Sequence, residues 1–243
     1  MRKKTVSILG DSYSTFEGYN RPGYDVWYPN EAQGVMHVEQ TWWKMLCDEG
    51  NLELIENNSY SGSTICNTGY GGMNSSFSSY VTRITNEMSD ESVNSDILLI
   101  FGATNDFWSG APFGEINYSW SGAPFDETSH SSSGAPFDET NCSLPGAPFG
   151  ETKYQEQTKE ELAQFAPAFC YLLAYATKKY AFSEIYVIIN DILPDYFQTV
   201  IKDVCNHYNV KTISLQNIDK IDGHPTVEGM KAIKEQVLRS IYA

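Results

Sequence analysis

Short apolar segments alternate with longer amphipathic segments along most of this chain. Five of the short segments are rich in Val, Ile and Leu and end at polar or turn-forming residues, a pattern that predicts buried β-strands. The predicted strands cover residues 5–9, 52–56, 96–101, 184–189 and 210–215.

The segments between these strands have the apolar spacing of amphipathic helices. The predicted helices cover residues 41–48, 75–88, 158–179, 194–207 and 226–241. Two of them begin with capping residues, Thr158 and Thr226, each followed by Glu within the first turn. Alternation of strand and helix predicts an α/β fold with a parallel sheet covered on both faces, a three-layer α/β/α sandwich. Ligands then bind at the carboxyl ends of the strands.

One segment, residues 107–154, interrupts the alternation. It consists of four twelve-residue units, and each unit contains Gly-Ala-Pro-Phe in the same register. Gly-Ala-Pro predicts turns, and a unit with a single Phe buries too little apolar surface to fold alone. We therefore expect one domain over residues 1–243 with a repeat insertion at 107–154. The repeat is interpreted as a tolerated tandem duplication or, alternatively, as a binding or assembly module that forms a homo-oligomer.

Composition limits the partners and the compartment of the protein. The 243 residues carry a formal net charge of −15, which argues against binding nucleic acid or an anionic membrane. Five cysteines without a C-x-x-C pair predict free thiols and neither a zinc site nor a disulfide framework. The basic start of the chain lacks the long apolar core of a signal peptide, and no segment is apolar enough to span a membrane. We expect a cytoplasmic protein that needs no cofactor.

Polar residues with catalytic chemistry follow the first three predicted strands. Ser12 lies in GDSYS after the first strand, Gly62 in NNSYSGST after the second, and Asn105 in GATND after the third. A serine hydroxyl is a nucleophile, while a glycine N–H and an asparagine amide suit a developing oxyanion. Each motif taken alone is equally consistent with a helix cap or an ordinary turn.

Of the four histidines, His224 in IDGHPT is the one placed at this edge of the sheet. It follows the fifth predicted strand and immediately precedes a helix. His207 lies near the carboxyl end of a predicted helix, where a structural role is favoured, and His130 lies inside a repeat unit. A serine activated by His224, with Gly and Asn donors opposite, is an acyl-transfer site.

The four motifs GDSYS, NNSYSGST, GATND and GHP, in this order, resemble the four blocks of the SGNH (GDSL-like) hydrolases. The resemblance covers residues 5–240 apart from the repeats. It implies a flavodoxin-like α/β/α fold with a five-stranded sheet and an esterase or acylhydrolase activity. It also implies that Ser12 is the nucleophile and His224 the general base. The oxyanion donors it implies are the N–H of Ser12, the N–H of Gly62 and the amide of Asn105.

The chain departs from the family pattern beside the base. The family usually has Asp three residues before the His, where this chain has Ile221. We predict that Asp222 orients the imidazole. Asp219 is the alternative, and a main-chain carbonyl that leaves a Ser–His pair is a third possibility.

Aromatic residues are dense near the predicted site and give the only indication of substrate. They are Tyr13, Phe16, Trp27, Tyr28, Trp42, Trp43, Phe107 and Trp108. Aromatic faces suit sugar rings, and short loops suit a small acyl group. We therefore expect a small-molecule ester, with an acetyl group carried by a carbohydrate as the leading substrate. Thioesters and lysophospholipids are the alternatives.

Overall fold

Five parallel strands form the centre of the molecule. The structure, a computed structural model, describes residues 2–118 and 159–243. The strands are β1 (Lys4–Gly10), β2 (Leu52–Ser59), β3 (Ile97–Phe101), β4 (Glu184–Ile189) and β5 (Lys211–Ser214). Their spatial order is β2-β1-β3-β4-β5. The predicted parallel sheet and α/β/α fold class are confirmed.

Helices cover both faces of the sheet. One face packs against α1 (Trp42–Glu49) and α6 (Val227–Ile241), and the other against α4 (Phe165–Lys179) and α5 (Asp195–His207). Two shorter α-helices are α2 (Tyr80–Thr82) and α3 (Thr104–Ser109).

Strand β3 shows why the strands are nearly continuous runs of apolar residues. Ile97, Leu99 and Phe101 belong to the core cluster beneath α1 and α6. The alternate residues Leu98 and Ile100 belong to the cluster beneath α4 and α5. Successive side chains of a strand point to opposite faces, so a strand with helices on both sides must be apolar at every position.

The second strand is longer than its apolar pattern indicates. It extends to Ser59 rather than ending at residue 56, although its last three residues are polar. These residues are buried and hydrogen-bonded, because the Asn57 amide donates to the Ser14 carbonyl and the Ser59 hydroxyl donates to the Asn57 amide oxygen. Buried polar side chains with partners are compatible with a strand interior.

Two predicted helices are shorter than expected. The helix predicted at 75–88 begins only at Tyr80, and it continues as a π-helical turn over Arg83–Glu87. In the helix predicted at 158–179, Gln164 is extended, and α4 begins after it. The N–H groups of Phe165 and Ala166 donate to the carbonyls of Pro112 and Phe113. These long-range partners explain why the helix is broken at this point. The predicted start, Thr158, lies outside the described residues.

The first repeat unit is part of the folded domain. Helix α3 includes its first three residues, and Phe113 packs against Phe165 and Phe197 with ring centroids 5.5 Å and 4.9 Å apart. The repeat units from residue 119 onward lie outside the described residues, so the two roles predicted for the repeat stay predictions.

Among residues 2–118 and 159–243, no helix has the length and apolarity that crossing a lipid bilayer requires.

The strand order places the predicted site residues. From β1 the chain continues to β2 at one edge of the sheet, whereas from β3 it continues toward β5 at the other edge. In open α/β sheets the ligand crevice lies at such a switch point, here between β1 and β3. Ser12 follows β1 and Asn105 follows β3, so both lie at this crevice.

Candidate active site

The turn that carries the predicted nucleophile, called the nucleophile turn below, begins where β1 ends. Asp11 caps a 3₁₀ turn over Ser12–Ser14, and its carboxylate accepts from the Tyr13 N–H at 3.1 Å. At Gly10 a Cβ would lie 2.5 Å from the Ser59 hydroxyl oxygen, so β1 and β2 approach closely because this residue is glycine. Ser12 Oγ lies 2.9 Å from His224 Nε2. The structure therefore brings together the predicted serine and histidine.

A small hairpin carries His224 to the serine. Lys220–Ile221 pairs antiparallel with His224–Pro225, and the two residues between them have positive φ, 49° at Asp222 and 78° at Gly223. Positive φ at both central residues is typical of a type I′ turn, for which Asp-Gly is a preferred pair. This hairpin was not among the predicted elements. The signal in the sequence that indicates it is the Asp222-Gly223 pair.

Three side-chain donors attach this hairpin to the rest of the domain. The Tyr28 hydroxyl donates to the Pro225 carbonyl at 2.8 Å, and the Gln33 amide donates to the Ile221 carbonyl at 3.0 Å. The Tyr13 hydroxyl donates to the Gly223 carbonyl. Together the three hydrogen bonds hold the hairpin against the loops that carry Tyr13, Tyr28 and Gln33.

The imidazole of His224 is oriented by main chain. Its Nδ1 lies 3.2 Å from the carbonyl oxygen of Asp222, whereas the Asp219 carboxylate accepts from the Thr226 hydroxyl. Within the described part of the chain, neither aspartate carboxylate forms a hydrogen bond to the imidazole. The geometry thus favours the third possibility, a Ser–His pair, over Asp222 or Asp219 acting as the acid. Burial lowers the pKa of His224 from its ordinary value of 6.5, which keeps the imidazole neutral near pH 7.

The loop after β2 carries Gly62. Gly62 has a φ of 79°, and a Cβ at this position would meet no atom within 4 Å. The neighbouring Tyr60 N–H donates to the Gly10 carbonyl at 3.2 Å, which couples this loop to the nucleophile turn. The Gly62 N–H donates to no acceptor among residues 2–118 and 159–243. It is therefore available to a substrate oxygen.

Asn105 lies in the first turn of α3, which begins after a left-handed residue. Ala103 has a φ of 73°, an uncommon conformation that redirects the chain at the end of β3. The Asn105 amide nitrogen donates to the Ser63 carbonyl at 3.0 Å, and its oxygen accepts from the Tyr70 hydroxyl at 2.8 Å. These two bonds fix the amide with its second N–H free to act as a donor. Tyr70 was missed in the sequence, where no motif distinguishes it.

A buried arginine holds two of the site loops. The Arg83 guanidinium donates to the Gly10 carbonyl at 3.0 Å, the Ser63 hydroxyl at 2.9 Å and the Asn58 carbonyl at 2.5 Å. Burial lowers the pKa of Arg83 to about 10, so it stays charged at neutral pH. By sequence, Arg83 falls within an ordinary predicted helix, residues 75–88, and no motif marks it as functional.

Two buried carboxylates also support the site. Burial raises the pKa of Asp11 to about 7 and that of Asp106 to about 6. Asp106 accepts from the backbone N–H groups of Ile65 at 2.8 Å and Cys66 at 3.2 Å. It therefore ties the loop after β2 to α3, which carries the Asn105 amide.

Of the aromatic residues singled out in the sequence, three surround the base. Trp27 stacks on the imidazole of His224, with ring centroids 3.7 Å apart and an interplanar angle of 8°. Tyr13 and Trp108 approach it at 5.5 Å and 6.0 Å. Four others are buried in the core and do not face substrate: Phe16, Tyr28, Trp42 and Trp43.

Replacing Gly223 with alanine is expected to lower ester turnover by about tenfold and to cost about 1–3 kcal/mol of stability. Gly223 has a φ of 78°, and its Cβ would lie 2.7 Å from the Trp108 ring, so the hairpin must move and carry His224 with it. Gly23→Ala is the matched control, because Gly23 has a φ of 86° with open space around it. Equal kinetic losses in the two variants would contradict a role for the Trp108 contact.

Comparisons with known proteins identify the family of this chain. The family model described as GDSL-like Lipase/Acylhydrolase matches residues 4–129 and 136–241. A GDSL-like lipase from Bacteroides ovatus is 36% identical, with a TM-score of 0.78 over 100% of this chain and 99% of its own. Another from Bacteroides uniformis is 39% identical, with a TM-score of 0.77 over 99% and 96%. No curated protein matched.

More distant structures share the fold. An acetyl xylan esterase from Butyrivibrio proteoclasticus is 15% identical, with a TM-score of 0.56 over 99% of this chain and 64% of its own. The family match covers most of the chain, and the two Bacteroides structures align along nearly its whole length. The protein therefore belongs to the GDSL-like lipase/acylhydrolase family and is an ester-hydrolysing enzyme.

Proposed function

We propose that the protein is a serine esterase that works through a covalent acyl-enzyme formed on Ser12. The observation that carries this proposal is the 2.9 Å contact between Ser12 Oγ and His224 Nε2. With Nδ1 facing a carbonyl, the imidazole holds its proton on Nδ1 and turns the Nε2 lone pair toward the serine. This is the tautomer that a general base requires.

The reaction then follows from the geometry. His224 Nε2 takes the hydroxyl proton as Ser12 Oγ bonds to the carbonyl carbon of the ester. The negative oxygen of the tetrahedral intermediate accepts from the N–H groups of Ser12 and Gly62 and from the Asn105 amide. The carbon–oxygen bond to the alcohol breaks, and the alcohol leaves with the proton from His224. Water then attacks the acyl carbon while His224 Nε2 takes its proton. The bond between that carbon and Ser12 Oγ breaks, the acid is released, and His224 returns the proton to Ser12 Oγ.

We propose a small acyl group, with acetyl esters of carbohydrates as the leading substrates. Trp27 and Trp108 flank the base and are only half-buried, so they bound the crevice with aromatic faces. Carbohydrate esterases, among them the acetyl xylan esterase, share this fold.

The charges around the site favour a neutral substrate over the two alternatives, thioesters and lysophospholipids. The arginines nearest the site are already engaged, because Arg83 is fully buried and Arg21 pairs with Glu56 at 2.7 Å. Asp25 and Asp222, on the site loops, are exposed. Coenzyme thioesters and lysophospholipids carry phosphate groups, which would meet carboxylates here rather than cations.

Labelling with an activated fluorophosphonate tests the proposal. We expect one phosphonyl group per chain, located on Ser12 by peptide mass mapping, together with full loss of ester hydrolysis. His224→Gln is the control and should label far more slowly, because the serine loses its base. Label on another residue, or activity that survives complete labelling of Ser12, would refute the proposal. Rates on acetyl, butyryl and octanoyl nitrophenyl esters, acetylated xylose, an acetyl thioester and a lysophospholipid then define the substrate.

A further inference from the structure

The base of this site has a neutral orienting partner. Where a carboxylate faces Nδ1, its charge stabilises the imidazolium that forms in the transition state. In this protein the partner of Nδ1 is the carbonyl of Asp222, which fixes the tautomer but carries no net charge. A second group packed against the ring would add orientation and stabilisation to what this carbonyl provides.

Trp27 is placed to do both. Its indole lies parallel to the imidazole of His224 at 3.7 Å, so the imidazole cannot rotate about its Cβ–Cγ bond without striking the indole. A protonated imidazole at this distance is attracted by the negative face of the indole ring, as any cation is. That attraction exists only when the ring is charged, and so it favours the transition state over the ground state.

Trp27 is also tied to the nucleophile turn. The backbone N–H of Trp27 donates to the Thr15 hydroxyl oxygen at 2.8 Å, and the Thr15 hydroxyl donates to the Ser12 carbonyl at 3.0 Å. Thr15 is fully buried. The Thr15 hydroxyl therefore bridges the backbones of Ser12 and Trp27, and this bridge holds the two residues at a set distance.

We propose that Trp27 is a positioning residue that holds the His224 imidazole in the plane that reaches Ser12 and stabilises its protonated form. The inference rests on the proposed function of Ser12 and His224. The other groups around the imidazole are Asp222 in its own hairpin, Tyr13 and Ser12 from the nucleophile turn, and the uncharged ring of Trp108.

A series of Trp27 variants tests the proposal with 4-nitrophenyl acetate, which has no sugar for an aromatic platform to bind. We expect kcat to fall about 30-fold in Trp27→Ala, about tenfold in Trp27→Leu and about threefold in Trp27→Phe, with KM nearly unchanged. Leucine keeps apolar bulk but has no π face. The difference in kcat between Trp27→Leu and Trp27→Phe therefore measures the contribution of the aromatic ring, even if Trp27→Ala fails to fold. Equal kcat in Leu and Phe variants, or a rise in KM alone, would overturn the proposal.

Fluorescence supplies a second readout. Protonation of a stacked imidazole quenches indole emission, so emission from Trp27 should fall with decreasing pH, with a midpoint below the ordinary histidine value of 6.5. The transition should vanish in Trp27→Phe and in His224→Gln and persist in His37→Gln, since His37 is exposed. A transition that persists in both Trp27→Phe and His224→Gln would contradict the stack. If Ser12→Ala keeps its activity, the proposed function fails, whatever the Trp27 variants show.

Discussion

Replacing Ser12 with alanine is expected to lower the turnover of a small acetyl ester by about 10⁴-fold or more. The variant loses the atom that forms the acyl-enzyme, and His224 Nε2 then faces a methyl group instead of a hydroxyl 2.9 Å away. The oxyanion donors remain, so a residual rate above that of water is expected. Steady-state hydrolysis of 4-nitrophenyl acetate measures the effect.

Ser61→Ala is the matched control for this experiment. Ser61 lies on the loop after β2, and its backbone N–H donates to the Asp25 carbonyl at 2.9 Å. Removal of its hydroxyl should change kcat by less than about threefold, since no step assigned above involves it. Turnover by Ser12→Ala at the wild-type rate, with the fold intact by circular dichroism, would remove Ser12 from the mechanism.

Replacing Asn105 with alanine is expected to lower kcat by about 10² to 10³, with little change in KM. In the proposed mechanism, the hydrogen bond from the Asn105 amide to the substrate carbonyl oxygen reaches full strength only when that oxygen becomes negative. Steady-state kinetics on the same ester separate the two constants. A rise in KM with unchanged kcat would indicate that Asn105 binds substrate rather than the oxyanion.

Tyr70→Phe separates the donor itself from its orientation. The Tyr70 hydroxyl holds the Asn105 amide oxygen at 2.8 Å, and its loss leaves the amide present but less firmly oriented. We expect a fall in kcat of about three- to tenfold, well below the effect of Asn105→Ala. Asn105→Ala also leaves the Ser63 carbonyl without its donor at 3.0 Å, so the melting temperature should be measured alongside the rates.

Most of the sheet was predictable because its signal is local. A strand covered on both faces must be apolar throughout, and β3 shows this pattern within five residues. The predicted ends of strands and helices were wrong where polar contacts with distant residues, rather than local helix or strand propensity, decide the backbone conformation. The polar end of β2 is stabilised by Ser14 and Arg83, and the break before α4 is stabilised by carbonyls of the first repeat unit.

The candidate site divides in the same way. Ser12, Gly62, Asn105 and His224 each follow a predicted strand in a recognisable motif, and the structure places Ser12 and His224 in direct contact. Their supporting residues have no such motif. Arg83 and Tyr70 reach the site through the fold, so their roles depend on neighbours that are distant in sequence.

The sequence alone determined the fold class, the order of the four motifs and therefore an acyl-transfer enzyme, because strand pattern and motif composition are local properties. Only the tertiary structure decided what faces the base. The type I′ turn at Asp222 and Gly223 directs a carbonyl to Nδ1, and the Trp27 indole stacks on the imidazole. Which atom meets a side chain depends on backbone geometry and packing between distant segments. No spacing of residues along the chain encodes that choice by itself.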